Sequence, residues 1–111
     1  MGKDLTKGIV VRGLSNAGAF TKDDVDRDDR LLDASVNASE ANNNRRDAAA
    51  GMTQGNFAGG FATSTVEKII QKGGRVRQDP QQGNAHHCQI FGLSLKDANT
   101  LFSNHLPWAS L

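Results

Sequence analysis

Large apolar side chains are scarce in this chain, and that scarcity bounds what it can fold into. Leu, Ile, Val and Phe account for 24 of the 111 residues, only slightly above the level at which chains stay disordered. Such a supply builds one hydrophobic core and leaves much of the chain outside it. The sequence therefore reads as a single small domain over residues 1–111. Its 12 glycines follow no triplet period, no heptad is sustained and Cys88 is the one cysteine, which excludes collagen, coiled-coil and disulfide-scaffold architectures. No apolar run approaches the roughly 20 residues needed to cross a bilayer. The opening Met1-Gly2-Lys3-Asp4 has no apolar stretch of the signal-peptide kind. A lone Cys88 fits a reducing compartment or a piece of a longer chain.

The formal charge of +1 provides no global field toward nucleic acid or lipid. Its distribution is uneven. Residues 1–50 carry 8 basic and 9 acidic groups, against 5 and 3 in residues 51–111. Lys68, Lys72, Arg75 and Arg77 form the one local basic cluster.

Periodicity predicts an α+β domain: an N-terminal helical or irregular region packed on a short antiparallel sheet, with a C-terminal helix. Gly8 to Leu14 reads as a strand of β-branched residues. Asn16 to Arg30 is turn-like, the Asn42-Asn43-Asn44 run reads as a loop, and Ala48 to Ala50 closes a short helix. Gly51 to Gly60 is glycine-rich and irregular. Ser64-Thr65-Val66-Glu67 has the capping-box pattern, with Ser64 as cap and Val66, Ile69 and Ile70 on one helical face. Gly73-Gly74 supplies a left-handed stop. Arg75 to Gln78 and His86 to Gly92 read as a hairpin across the turn Asp79 to Gly83. Ser94 caps a last helix striped with Leu95, Ala98, Leu101 and Phe102, which Pro107 ends.

His87 is the main chemical candidate. Alternation along its strand places Cys88 and Ile90 on a core face and His87, Gln89 and Phe91 on a partly polar one. An imidazole titrating near neutrality moves protons in either direction, as phosphodiester cleavage requires at its attacking and leaving oxygens. A half-buried, hydrogen-bonded strand histidine is the plainer account. His86 and Cys88 do not make a metal site with it, because neighbours on a strand point to opposite faces and no second cysteine exists. Cys88 reads as a small hydrophobe. Arg12, beside Gly13, has a fork suited to phosphate, or pairs with one of the aspartates between Asp23 and Asp33. Ser64 and Thr65, at a helix start, could contact a phosphate, although capping alone explains Ser64. Lys68, Lys72, Arg75 and Arg77 suit a phosphate backbone, or simply a solvated surface.

Several short pieces, in order, carry a resemblance: Val11-Arg12-Gly13, Ser35-Val36-Asn37, Ser64-Thr65-Val66, Gly73-Gly74-Arg75-Val76, Asn84-Ala85-His86-His87-Cys88, Gly92-Leu93-Ser94 and Leu101-Phe102. Together they resemble the C-terminal toxin domains of bacterial polymorphic toxins of the contact-dependent inhibition type. Several of those are ribonucleases of the barnase/EndoU/colicin/RelE-like fold that cut transfer RNA. The resemblance implies that His87, Arg12 and Thr65 are the motif's histidine, arginine and threonine, with His86 standing where the pattern has Asn or Pro.

Together these readings lead to the expectation of a metal-independent ribonuclease without a cofactor. His87 would act as general acid or base, Arg12 would stabilise the phosphate charge, and Ser64 or Thr65 would orient it. The cationic residues Lys68, Lys72, Arg75 and Arg77 would bind RNA. The implied partners are an RNA substrate, with transfer RNA first, and a cognate immunity protein. The implied setting is secretion within a larger toxin and action in the target cell's cytoplasm. Two alternatives stay open. One is an NAD-consuming, ADP-ribosyltransferase-like toxin, resting on Arg12 and the Ser64-Thr65 region but lacking a later Glu-x-Glu. The other is a non-catalytic binding or immunity-type module.

Overall fold

A computed structural model describes residues 2–15, 18–41 and 44–111. The expectations that fall on Asn16, Asn42 and Asn43 lie outside the described residues. Five strands form one sheet: β1 (Ile9–Gly13), β2 (Ala34–Ser39), β3 (Phe61–Thr65), β4 (Arg75–Gln78) and β5 (His87–Phe91). Their order is β3-β1-β2-β5-β4, and every neighbouring pair is antiparallel. Three short helices accompany them, α1 (Arg45–Ala48), α2 (Val66–Gln71) and α3 (Leu95–Leu101). The fold is α+β with a C-terminal helix, and no helix among the described residues is long and apolar enough to cross a membrane.

Side-chain alternation divides the few large apolar residues between two faces. Val10, Val36, Ala62, Val76, Cys88 and Ile90 face α2 and α3 and pack with Val66, Ile69, Ala98 and Phe102 in the main core. Val11 and Phe61 face the other way and form a smaller cluster with Ala48 and Ala49, flanked by Trp108 and Leu111. Segments of the same chain cover both outer strands. Leu5 N–H donates to Val76 O beside β4, and Phe61 exchanges backbone hydrogen bonds with Leu106 beside β3, which blocks edge-to-edge association.

The sheet is broader than the sequence predicts, because β2 and β3 join the expected β1 within the first 65 residues. Strand β2, ASVNAS, lacks the bulky β-branched run that marks a strand. It is nonetheless central, paired with β1 and β5 and buried at Val36, Asn37, Ala38 and Ser39. Two further details differ. Ser64 belongs to β3 and Thr65 is the cap of α2, accepting from Lys68 N–H. Glu67 accepts instead from Gly8 N–H, 3.1 Å away, and Ile70 is 45% exposed while Val66 and Ile69 are buried. The glycine stop and the second cap hold: Gly73 has φ 88° and Ser94 accepts from Asp97 N–H. The last helix ends before Pro107, at Phe102.

Candidate active site

Register places Thr63, Val11, Asn37 and His87 side by side across four strands, on the face away from α2 and α3. At the His87 end of this row, the smaller cluster gives way to a cleft of about 450 Å³. Its floor includes Gly13, Ser35, Asn37 and His87. One wall is the 51–57 loop with Met52, Thr53 and Phe57, and the other is the turn Gln81 to Asn84. Gly13 lies on that floor because a Cβ there would stand 2.4 Å from the Phe57 ring. Trp108 Nε1 donates to Phe57 O at 2.8 Å and holds the loop down.

The His87 ring is oriented from one side. Its Nδ1 lies 3.0 Å from the Asp79 carbonyl and 3.1 Å from Asp79 Oδ2. Both neighbours are acceptors, so Nδ1 carries the hydrogen, and in the neutral ring Nε2 holds the lone pair. Nε2 has no hydrogen-bond partner among the described residues and is not among the buried unpartnered atoms. Asp79 is fixed in turn by its own N–H donating to His87 O.

Beside His87, Asn37 and Asn84 exchange amide hydrogen bonds at 2.8 and 3.0 Å, and Asn37 Nδ2 also donates to Ala48 O. Asn37 is fully buried, so these bonds satisfy a polar group that would otherwise be costly in the sheet. They tie three separate segments together at the cleft: β2, the end of α1 and the 81–84 turn. The Asp79 contacts hold the His87 ring in one orientation at the edge of this tied cleft.

The other predicted residues do not join it. Arg12 is on the opposite face. Its guanidinium donates to Ala19 O and Ser35 O, pairs with Asp24 at 3.4 Å and stacks on Phe20 at 4.6 Å. Burial lowers its pKa while Asp24 pulls the other way. A guanidinium engaged on all sides within the fold has no donor to offer the cleft. Ser64 is buried on that same face with its Oγ unpartnered. Thr65 is on edge strand β3, its hydroxyl used as a cap. Lys68 on α2 and Lys72 at its C-terminal end are exposed, and α2 packs on the Arg12 face. Of the four cationic candidates, Arg75 and Arg77 are on the His87 face, stacked on Phe91 at 5.2 and 5.6 Å.

Cys88 behaves as the sequence suggests, buried in the core with its thiol pushed up to about 11 by burial. Among the described residues, no group of three His, Cys, Asp or Glu side chains is placed to hold a metal ion. Sequence reasoning missed the parts of the site that act through tertiary contact. Asp79 reads as an ordinary turn residue, and only the hairpin register returns it to His87. Asn37 belongs to the Ser35-Val36-Asn37 piece of the resemblance but has no role attached to it, and Phe57 carries no local signal at all.

Scans against protein-family models, curated proteins and solved structures find no match to the chain.

Proposed function

We propose that this domain is a metal-independent endoribonuclease in which His87 is the proton-transfer group. The observation that carries the reading is the His87–Asp79 pair: a strand histidine with Nδ1 held by acceptors and Nε2 left available in a polar cleft. In the reaction, Nε2 takes the proton of an RNA 2′-hydroxyl as its oxygen bonds to phosphorus. The P–O5′ bond breaks, the leaving oxygen takes a proton from water, His87 returns its proton to the solvent, and a 2′,3′-cyclic phosphate remains. Asp79 positions the ring and stabilises the imidazolium. The amides of Asn84, Gln81 and Gln82 at the cleft wall supply donors and acceptors for a base or a phosphate.

On this reading, transfer RNA is the first substrate class to test. The domain acts in a target cell's cytoplasm as the tail of a larger secreted toxin, and its partner is an immunity protein covering the His87 cleft. Arg12 and Ser64–Thr65 drop out of the catalytic assignment and become structural. The NAD-consuming alternative loses the arginine on which it rested.

The deciding experiment is incubation of the purified domain, and of His87→Gln and Asp79→Ala variants, with total bacterial RNA in chelator. Discrete fragments ending in cyclic phosphate are expected from the parent. The His87 variant is expected to lose about 10²-fold or more, and the Asp79 variant at least about tenfold. Intact RNA from the folded parent would reject the reading. One observation favours a binding module as the second reading: apart from His87, the cleft-lining side chains are amides, hydroxyls and apolar groups without charge. A folded parent that binds RNA without cutting it would select that reading.

A further inference from the structure

The sheet face that carries His87 is open beyond the cleft. Along β5, residues 87, 89 and 91 project from the same side, each step being two residues of strand rise, about 6.6 Å. Gln89 and Phe91 are half-buried there, flanked by exposed Ser35 on β2 and by Arg75 and Arg77 on β4. Arg75 is directly opposite Phe91, and Arg77 is opposite Gln89. Both guanidiniums stack on the Phe91 ring. The smaller apolar cluster covers the β1–β3 half of this face and does not reach these residues.

We propose that this strip is the approach path of a single-stranded RNA to His87, with a base replacing a guanidinium on Phe91 and Arg75 and Arg77 turning to the flanking phosphates. The inference rests on the ribonuclease reading and names the substrate form: an unpaired segment, such as the loop of a structured RNA. Three features specify that occupant. The step between outward-facing residues matches the repeat of a stretched nucleotide backbone. A half-buried aromatic ring offers a base a stacking surface without sequence preference. Two arginines held on that ring supply positive charge and planar forks where the phosphates would run.

The site already contains a carboxylate in a phosphate-like position. Asp4, at the covered edge of β4, lies 3.3 Å from Arg77 and 3.9 Å from Arg75, and its side chain is 44% exposed. An incoming phosphate competes with it, so Asp4 sets a threshold for binding. The same placement assigns Lys68 and Lys72 no part in the path, since α2 packs on the opposite face of the sheet.

The test is binding of a short fluorescein-labelled oligouridylate to the full chain carrying His87→Gln, so that binding is read without cleavage. Phe91→Ala is expected to weaken binding about tenfold or more, Phe91→Leu nearly as much, and Phe91→Trp to retain it. Leucine keeps apolar volume, so its loss reports stacking rather than folding. Arg75→Gln and Arg77→Gln are each expected to weaken binding and to reduce the slope of log K against log salt by about 0.7. Asp4→Asn is expected to tighten it severalfold, and a Lys68→Gln, Lys72→Gln chain to bind as the parent does. Equal binding by the Phe91→Leu and arginine variants would overturn the path even if the parent cuts RNA. Binding with the expected pattern, together with no cleavage by the parent, would leave the path standing and reject the ribonuclease.

Discussion

Arg12 illustrates how one step of strand alternation decides a residue's role. It neighbours Val11, whose side chain shares the face of His87, yet its own guanidinium packs on Phe20 across the sheet. Removing it leaves the Ala19 and Ser35 carbonyls and the Asp24 carboxylate without their charged donor. Arg12→Met is therefore expected to cost about 2–4 kcal/mol of stability, measured by urea unfolding, with cleavage per folded molecule retained. Loss of cleavage in a variant of normal stability would return Arg12 to the site. Ser64 makes the opposite prediction. Its buried hydroxyl has no partner, so Ser64→Ala removes a desolvated polar group and leaves little void. The variant is expected to match or exceed the parent's stability, by up to about 1 kcal/mol, in the same unfolding measurement.

Among the elements, β1 and the 51–57 loop meet where Gly13 has no side chain. A methyl group there would press on the Phe57 ring, and that ring is tied through its loop to Trp108. Gly13→Ala is expected to lower stability by about 1–3 kcal/mol and to displace the cleft wall. The displacement is visible as a change in Trp108 fluorescence, together with loss of cleavage. Strand pairing also explains why β5 was legible from sequence while β2 was not. The run His-Cys-Gln-Ile-Phe alternates polar and apolar residues and follows a recognisable turn. Apart from Val36, Ala34–Ser39 consists of small and polar residues, and it becomes a strand because β1 and β5 satisfy its backbone on both sides. Small side chains suit that central place, and α1 with Ala48 and Ala49 packs over the His87 face of β1 nearby.

At the level of the whole molecule, the N-terminal segment is held to the sheet by charge as well as by backbone pairing. The Thr6 N–H and hydroxyl and the Lys3 ammonium all bond Glu40, just past β2, and hold its carboxyl down to about 2 from 4.5. The Thr6 backbone bond is the largest cause. A carboxyl bound less tightly to protons when folded stabilises the fold above its unfolded pKa. That contribution drains away as the pH falls from about 4.5 toward about 2. Glu40→Gln is therefore expected to be less stable than the parent at neutral pH, with the gap closing across that acidic window. Urea midpoints measured across the pH range provide the check, and a gap that stays constant with pH would reject it.

The residue pattern by itself determined the α+β class, the β4–β5 hairpin, the Ser94 cap, the core face of Cys88 and the open face of His87. All of these follow from local periodicity and short-range hydrogen bonding, which are written in contiguous residues. Only the tertiary structure decided which candidates meet. Asp79 reaches His87 through hairpin register, Asn37 reaches Asn84 across 47 positions, and Arg12 turns away to a partner surface of its own. Those outcomes depend on strand order and on which face each element covers. A chain with so few large apolar residues fixes them through small-residue strands and buried amides, whose pairing leaves no periodic trace in the sequence.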